Sequence, residues 1–141
     1  MAASLSEYLK RTSLFAGFSD RQIADVLATA KRRSFAAGEQ ILYEGDEGGR
    51  GFYLIVEGRT EVRSGSTVLA QFGPGDYFGE MALLLPDTPR TADVVALEDT
   101  TCVVITQWDL RALIGTHPET GLAIMAELAR RLADTDRTLR E

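Results

Sequence analysis

The distribution of glycines constrains this chain most. Ten of its thirteen glycines fall between Gly38 and Gly79, among short runs rich in β-branched and aromatic residues. A glycine inside a helix costs roughly 0.5–1 kcal/mol relative to alanine. That density disfavours long helices here and favours short strands joined by tight turns. Segments 41–43, 51–56, 60–63, 67–72 and 77–78 read as strands, and 91–96 and 100–105 add two more. Glu57-Gly58-Arg59 and Ser64-Gly65-Ser66 read as hairpin turns. About eight short strands with glycine turns imply an antiparallel, jelly-roll-like β-roll.

Helical spacing returns on both flanks. A weak helix over 4–16 carries Leu5, Tyr8, Leu9, Leu14 and Phe15. Ser19-Asp20-Arg21-Gln22 is a capping-box pattern, in which a hydroxyl and a side chain three residues on satisfy each other's backbone N–H. It opens a helix to Lys31, with Ile23, Val26, Leu27 and Ala30 on one face. The basic triplet Lys31-Arg32-Arg33 suits that helix's negative C-terminal end. Thr106-Gln107-Trp108-Asp109 is a second capping-box pattern, with Leu110, Leu113 and Ile114 apolar and Trp108 expected to pack on the roll. Pro118 suits the first turn of a last helix running towards Arg140. In it Met125, Leu128, Leu132, Thr135 and Leu139 form a short heptad seam. That seam either covers the chain's own roll or pairs with the helix of a second copy. The fold class is therefore α+β, in a single domain over 1–141. It divides into N-terminal helices (1–33), a β-roll (34–105) and two C-terminal helices (106–141).

Composition excludes several functions. The formal charge is 15 − 21 = −6, which argues against nucleic-acid binding through this chain, since that needs a basic footprint. The one cysteine, Cys102, excludes an intrachain disulfide and reads as a small buried hydrophobe. The one histidine, His117, lacks the companions of a metal site, so a metal-dependent cupin-like enzyme is disfavoured and no metal or other cofactor is expected. Glu44 and Asp46, flanking Gly45, read as a turn rather than an acid–base pair. The sequence has neither an apolar run long enough to span a bilayer nor an N-terminal apolar signal, so a cytoplasmic, non-membrane protein is expected.

The residues that could carry chemistry lie in 77–94. Gly79 permits positive φ or a close backbone approach. Segment 80–85 reads as a short helix, whose N-terminal N–H groups can face an anion. Glu80 can accept hydrogen bonds from sugar hydroxyls, and Arg90 offers a planar guanidinium to a phosphate. Phosphate donors, an arginine and a carboxylate so close together suit a small sugar phosphate. A carboxylate at a helix start and a solvated arginine after a Pro-rich turn would give the same residues without any ligand.

The order of these residues resembles the phosphate-binding cassette of the cyclic nucleotide-binding domain family. Phe78-Gly79-Glu80-Met81-Ala82-Leu83-Leu84 and Pro89-Arg90-Thr91-Ala92-Asp93-Val94 stand where that family has its signature. The loop between them has the longer spacing of the bacterial catabolite activator type. Upstream, Ile41, Glu44-Gly45-Asp46, Phe52-Tyr53-Leu54-Ile55, Gly58, Val62 and Gly73-Pro74-Gly75-Asp76 fit the same pattern, and the likeness covers residues 5–140.

The resemblance implies a regulatory, non-enzymatic module that binds a cyclic nucleotide, with cAMP favoured over cGMP. Arg90 would pair with the cyclic phosphate, joined by backbone N–H groups of Met81 or Ala82 and of Ala92. Glu80 would bond the ribose hydroxyl, and Gly79 would shape the approach. Val62, Leu69, Phe72 and Val94 would give apolar contact to base or ribose. Thr91 would meet base or phosphate, and Thr135 the base. Thr91 is a residue type that cGMP-preferring relatives use, whereas Thr135 favours cAMP. The partners implied are the nucleotide, a downstream protein and possible homodimerisation through the last helix. The chain would be either a stand-alone sensor or the sensor part of a transcription regulator. A third expectation is a family member that no longer binds nucleotide, against which Glu80 and Arg90 both speak.

Overall fold

The computed structural model describes residues 4–12, 15–43, 51–79 and 92–140. They fall into two compact units, Ala30–Asp109 and Met1–Thr29 with Leu110–Glu141.

The first unit is the roll. Its strands are β1 (Lys31–Phe35), β2 (Gln40–Leu42), β3 (Gly51–Glu57), β4 (Thr60–Ser64), β5 (Thr67–Phe72), β6 (Tyr77–Phe78), β7 (Asp93–Ala96) and β8 (Thr100–Thr106). They form two four-stranded antiparallel sheets, ordered β1-β8-β3-β6 and β2-β7-β4-β5. Phe35, Tyr53, Ile55, Phe78, Cys102 and Val104 of one sheet and Leu42, Val94 and Ala96 of the other share one buried core. The expected β-roll is thus the observed one.

Turn chemistry fixes the register. Gly58 has φ +98°, and a Cβ there would lie 2.4 Å from the Thr100 hydroxyl and 2.5 Å from the Asp99 carbonyl oxygen. Only glycine suits both the dihedral and the space. At 36–39 the Glu39 carboxylate accepts the Ala36 N–H, while Asp99 accepts that of Ala37.

The second unit holds α1 (Ser4–Lys10), α2 (Asp20–Thr29), α4 (Pro118–Arg140) and most of α3 (Gln107–Thr116). Both expected capping boxes form. Ser19 Oγ accepts the Gln22 N–H and Gln22 Oε1 accepts that of Ser19, at 3.1 and 2.9 Å. Thr106 Oγ1 and Asp109 do the same at the start of α3, both at 3.0 Å. The α3–α4 corner is tight, since a Cβ on Gly121 would lie 2.3 Å from Ile114 Cγ1.

Two expectations are corrected. Lys31-Arg32-Arg33 does not end α2, which stops at Thr29; the triplet opens β1, with Lys31 opposite Val104. Edge pairing to a strand so distant in sequence outweighed the helix-end charge preference. Trp108 does not pack away and is 60% exposed, because it stands in the first turn of α3 on the face away from buried Leu110 and Leu113. Among the described residues of α4 the buried ones are Thr120, Gly121, Ile124 and Leu128, while Met125 and Leu122 are 37% and 61% exposed. Leu128 of the expected seam lies in this inward row, whereas Met125 lies outside it. The side chains of Leu132, Thr135 and Leu139 lie outside the described residues.

Candidate functional site

Alternation along β4, β5 and β7 builds one apolar wall. In an antiparallel sheet every second residue points to the same face. Val62 is opposite Val94 on one side and Ala70 on the other, and Thr60 is opposite Ala96 and Phe72. Val94 is buried, while Val62 and Phe72 are half-buried and pack against the same core. Three of the expected apolar contacts, Val62, Phe72 and Val94, are therefore gathered on one inner face. Leu69 is not with them. It sits at the bulge of β5, where the register moves from Val62–Ala70 to Arg63–Val68, and is 55% exposed.

Two aromatic stacks join this wall to the other sheet. The Phe72 and Phe78 rings lie 6.4 Å apart with 3° between their planes, and Phe78 stacks on Tyr53 at 5.1 Å. Offset parallel stacking of this kind adds about 0.5–1.5 kcal/mol beyond area burial. The turn between Phe72 and Tyr77 sets the geometry. The Gly73 N–H donates to the Asp76 carboxylate at 2.9 Å, and the Asp76 N–H donates to Gly73 O at 3.0 Å. Pro74 fills the second turn position and Gly75 the third, with φ +92°, as a type II turn requires. The turn is tied to β3, because the Ile55 N–H donates to Asp76 O and the Gly75 N–H to Ile55 O, both at 2.9 Å. Pairing of Phe78 with Tyr53 then delivers the chain to Gly79, which has φ +83°.

Gly79 and Ala92 thus bracket the expected phosphate site, both half-buried. Glu80, Met81, Ala82, Arg90 and Thr91 lie outside the described residues. Thr135 lies on α4, and nothing more of it is described. Sequence reading gave no packing role to Tyr53, Phe78 and Asp76, which lead the chain to Gly79. The Gly73-Pro74-Gly75-Asp76 turn and the alternation in β3, with Tyr53 and Ile55 inward, were the available signals.

Electrostatics divide the two faces of this sheet. Outside, Arg59 donates to Gln71 at 2.7 Å, Gln71 donates to Glu61 at 3.2 Å, and Arg63 Nε donates to Glu61 at 2.5 Å. The Arg63 hydrogen bond is the main reason the Glu61 carboxyl is held below its ordinary range; Gln71 adds to it and desolvation opposes it. Inside, burial pushes the Cys102 thiol up to about 12, leaving it neutral and unreactive. Among the described residues no three metal-ligating side chains come together, and no helix is long and apolar enough to cross a membrane. In the second unit His117 Nε2 lies 3.5 Å from Asp25 Oδ1, and the Thr120 hydroxyl is 3.3 Å from Asp25 Oδ2.

The described part of the site is thus an apolar inner face and a left-handed glycine, which Glu80 and Arg90 follow in sequence. Comparisons with known proteins agree. The family described as Cyclic nucleotide-binding domain matches residues 32–117. The Cyclic AMP receptor protein of Thermus thermophilus is 36% identical over 133 residues, covering 91% of this chain and 61% of the relative. A cAMP-dependent protein kinase regulatory subunit of Dictyostelium discoideum is 34% identical, covering 77% of this chain and 35% of the relative. The crystal structure of the N-terminal domain of a transcriptional regulator from Streptomyces coelicolor superposes with a TM-score of 0.79 at 32% identity, covering 93% of each chain. The chain belongs to the cyclic nucleotide-binding domain family. It spans 61% and 35% of the two curated relatives' lengths.

Proposed function

We propose that this chain reversibly binds a cyclic nucleotide, cAMP in preference to cGMP, performs no chemistry on it, and reports its presence as a regulatory sensor. The observation that carries this is the inner wall of Val62, Phe72 and Val94, in a family member whose next residues after Gly79 are the Glu80 motif and Arg90. In this reading Arg90 pairs with the cyclic phosphate. Backbone N–H groups of Met81 or Ala82 and of Ala92 complete that contact. Glu80 accepts from the ribose hydroxyl, and the wall meets the base or ribose. Leu69 takes part only if ligand binding draws in the β5 bulge. Thr91 and Thr135 are the proposed base contacts, and their balance sets the choice of nucleotide.

Occupancy is read out as a population shift. The ligand draws in the cassette, and Leu83 to Leu85 repack against α3 and α4, coupling worth about 1–3 kcal/mol. Unchanged amide exchange in α3 and α4 at saturating nucleotide would exclude this. The chain works in the cytoplasm, with a protein as downstream partner and with α4 available to pair with a second copy. A second reading, the sensor part of a transcription regulator, is favoured by the likeness to such a regulator's N-terminal domain.

Calorimetric titration with cAMP and with cGMP tests the proposal on protein shown to be free of carried-over nucleotide. One nucleotide should bind tightly, and Arg90→Ala should cost about 1.5–3 kcal/mol, as expected for a charged phosphate contact. No heat with either nucleotide at several temperatures would overturn it.

A further inference from the structure

We propose that the free edge of β1 is a docking site for an extended acidic segment of another protein, which adds to the sheet as a fifth strand. β1 ends its sheet, and its backbone groups facing away from β8 take no backbone partner among the described residues. Lys31, Arg32, Arg33 and Ser34 are all exposed. None of the three cations has an ion pair among the described residues. Arg33 stacks on the Phe35 ring at 5.4 Å, which holds it in place and leaves its N–H groups free. Alternation puts Lys31 and Arg33 on one face and Arg32 on the other, so the edge is basic on both sides.

Charge selects the occupant. Cations on an edge strand discourage pairing with a like-charged strand. A second copy of β1 would set three cations against three, which is repulsive. An acidic strand gains the same main-chain ladder together with opposite-charge cross-strand pairs. A nucleic acid is less suited, because the chain's net charge is −6 and the edge offers alternating N–H and C=O groups that a phosphodiester cannot match. The other long edge, β5, has no charged residue, and β2 and β6 have three and two residues, so among the described strands β1 alone combines length with charge at an edge.

The probe is a labelled peptide of about eight alternating Glu and Thr residues, the length of a common strand, followed by fluorescence anisotropy. Saturable binding is expected, with the amide resonances of residues 31–35 shifting. Raising salt from about 0.05 to about 0.3 M should weaken it about tenfold or more, because exposed charge contacts are screened. K31E/R32E/R33E should abolish it. K31Q/R32Q/R33Q carries the same test if the reversed variant loses its melting transition. A peptide N-methylated at alternate amides should lose most of the binding, since it cannot complete the ladder. Equal binding of the N-methylated peptide, of a Lys/Thr peptide, or of the charge variants would overturn the proposal. Tighter binding of a single-stranded oligonucleotide of equal charge would overturn it in favour of nucleic acid.

Discussion

The roll and the helical unit are held in place by different means. In the roll the decisive features belong to the backbone. Gly58, Gly75 and Gly79 take dihedrals closed to most residues, and turn carboxylates accept main-chain N–H groups that strands cannot use. Moving any of these shifts a strand register, and a one-residue slip would turn the inner wall of Val62 and Val94 outward. Among the helices the decisive features are side chains, namely the Ser19–Gln22 and Thr106–Asp109 caps and the Asp25–Thr120 contact. Such contacts can break one at a time without changing the helices' identity.

Substitutions can break that contrast, and the largest effect is expected at Gly58. Gly58→Ala adds a Cβ 2.4 Å from Thr100 Oγ1 at φ +98° and should destabilise the roll by about 3 kcal/mol through strain and overpacking. Chemical denaturation reads the loss, and a change below about 0.5 kcal/mol, as at ordinary surface sites, would refute a backbone-limited roll.

The buried thiol gives the next effect. The folded Cys102 pKa is raised from 9.0 to about 12, so its contribution is complete below the unfolded value and is lost as pH rises from 9 to 12. Alkaline denaturation should steepen across that window and flatten in Cys102→Ala.

Cap removal should matter less. Ser19→Ala and Thr106→Ala should each cost about 1 kcal/mol, with amide protection falling in the first turns of α2 and α3 and unchanged at the centres of β3 and β8. Equal loss of protection in the strands would merge the two regions into one cooperative unit.

Glu61 should give the smallest effect. Its carboxyl is held below 4.5, so that contribution is present above the ordinary value and is lost as pH falls through the lowered one. Glu61→Gln should slightly flatten the acid limb of a pH–stability curve.

The same contrast explains what could be read from sequence. Hairpins and caps are local, and Glu57-Gly58-Arg59, Ser64-Gly65-Ser66 and both capping boxes stand where residue chemistry puts them. β1 was hidden because nothing near Lys31-Arg32-Arg33 announces a strand; its partner is the segment Thr100–Val104. Trp108 misled because aromatic character predicts burial only once the facing element is known. At the site, the motif around Gly79 was legible as a string of residues. The stack of Tyr53, Phe78 and Phe72 leading up to it joins three strands and required the register.

The pairing of β1 with β8 has an evolutionary consequence. Lys31 opens the roll and lies opposite Val104, two residues from the end of the last strand. The chain therefore enters and leaves this module at neighbouring points. A roll built in this way can be moved between genes as a cassette, with little need to reshape what precedes or follows it. Matches to this chain span 61% of one relative's length and 35% of another's, the pattern such portability would leave.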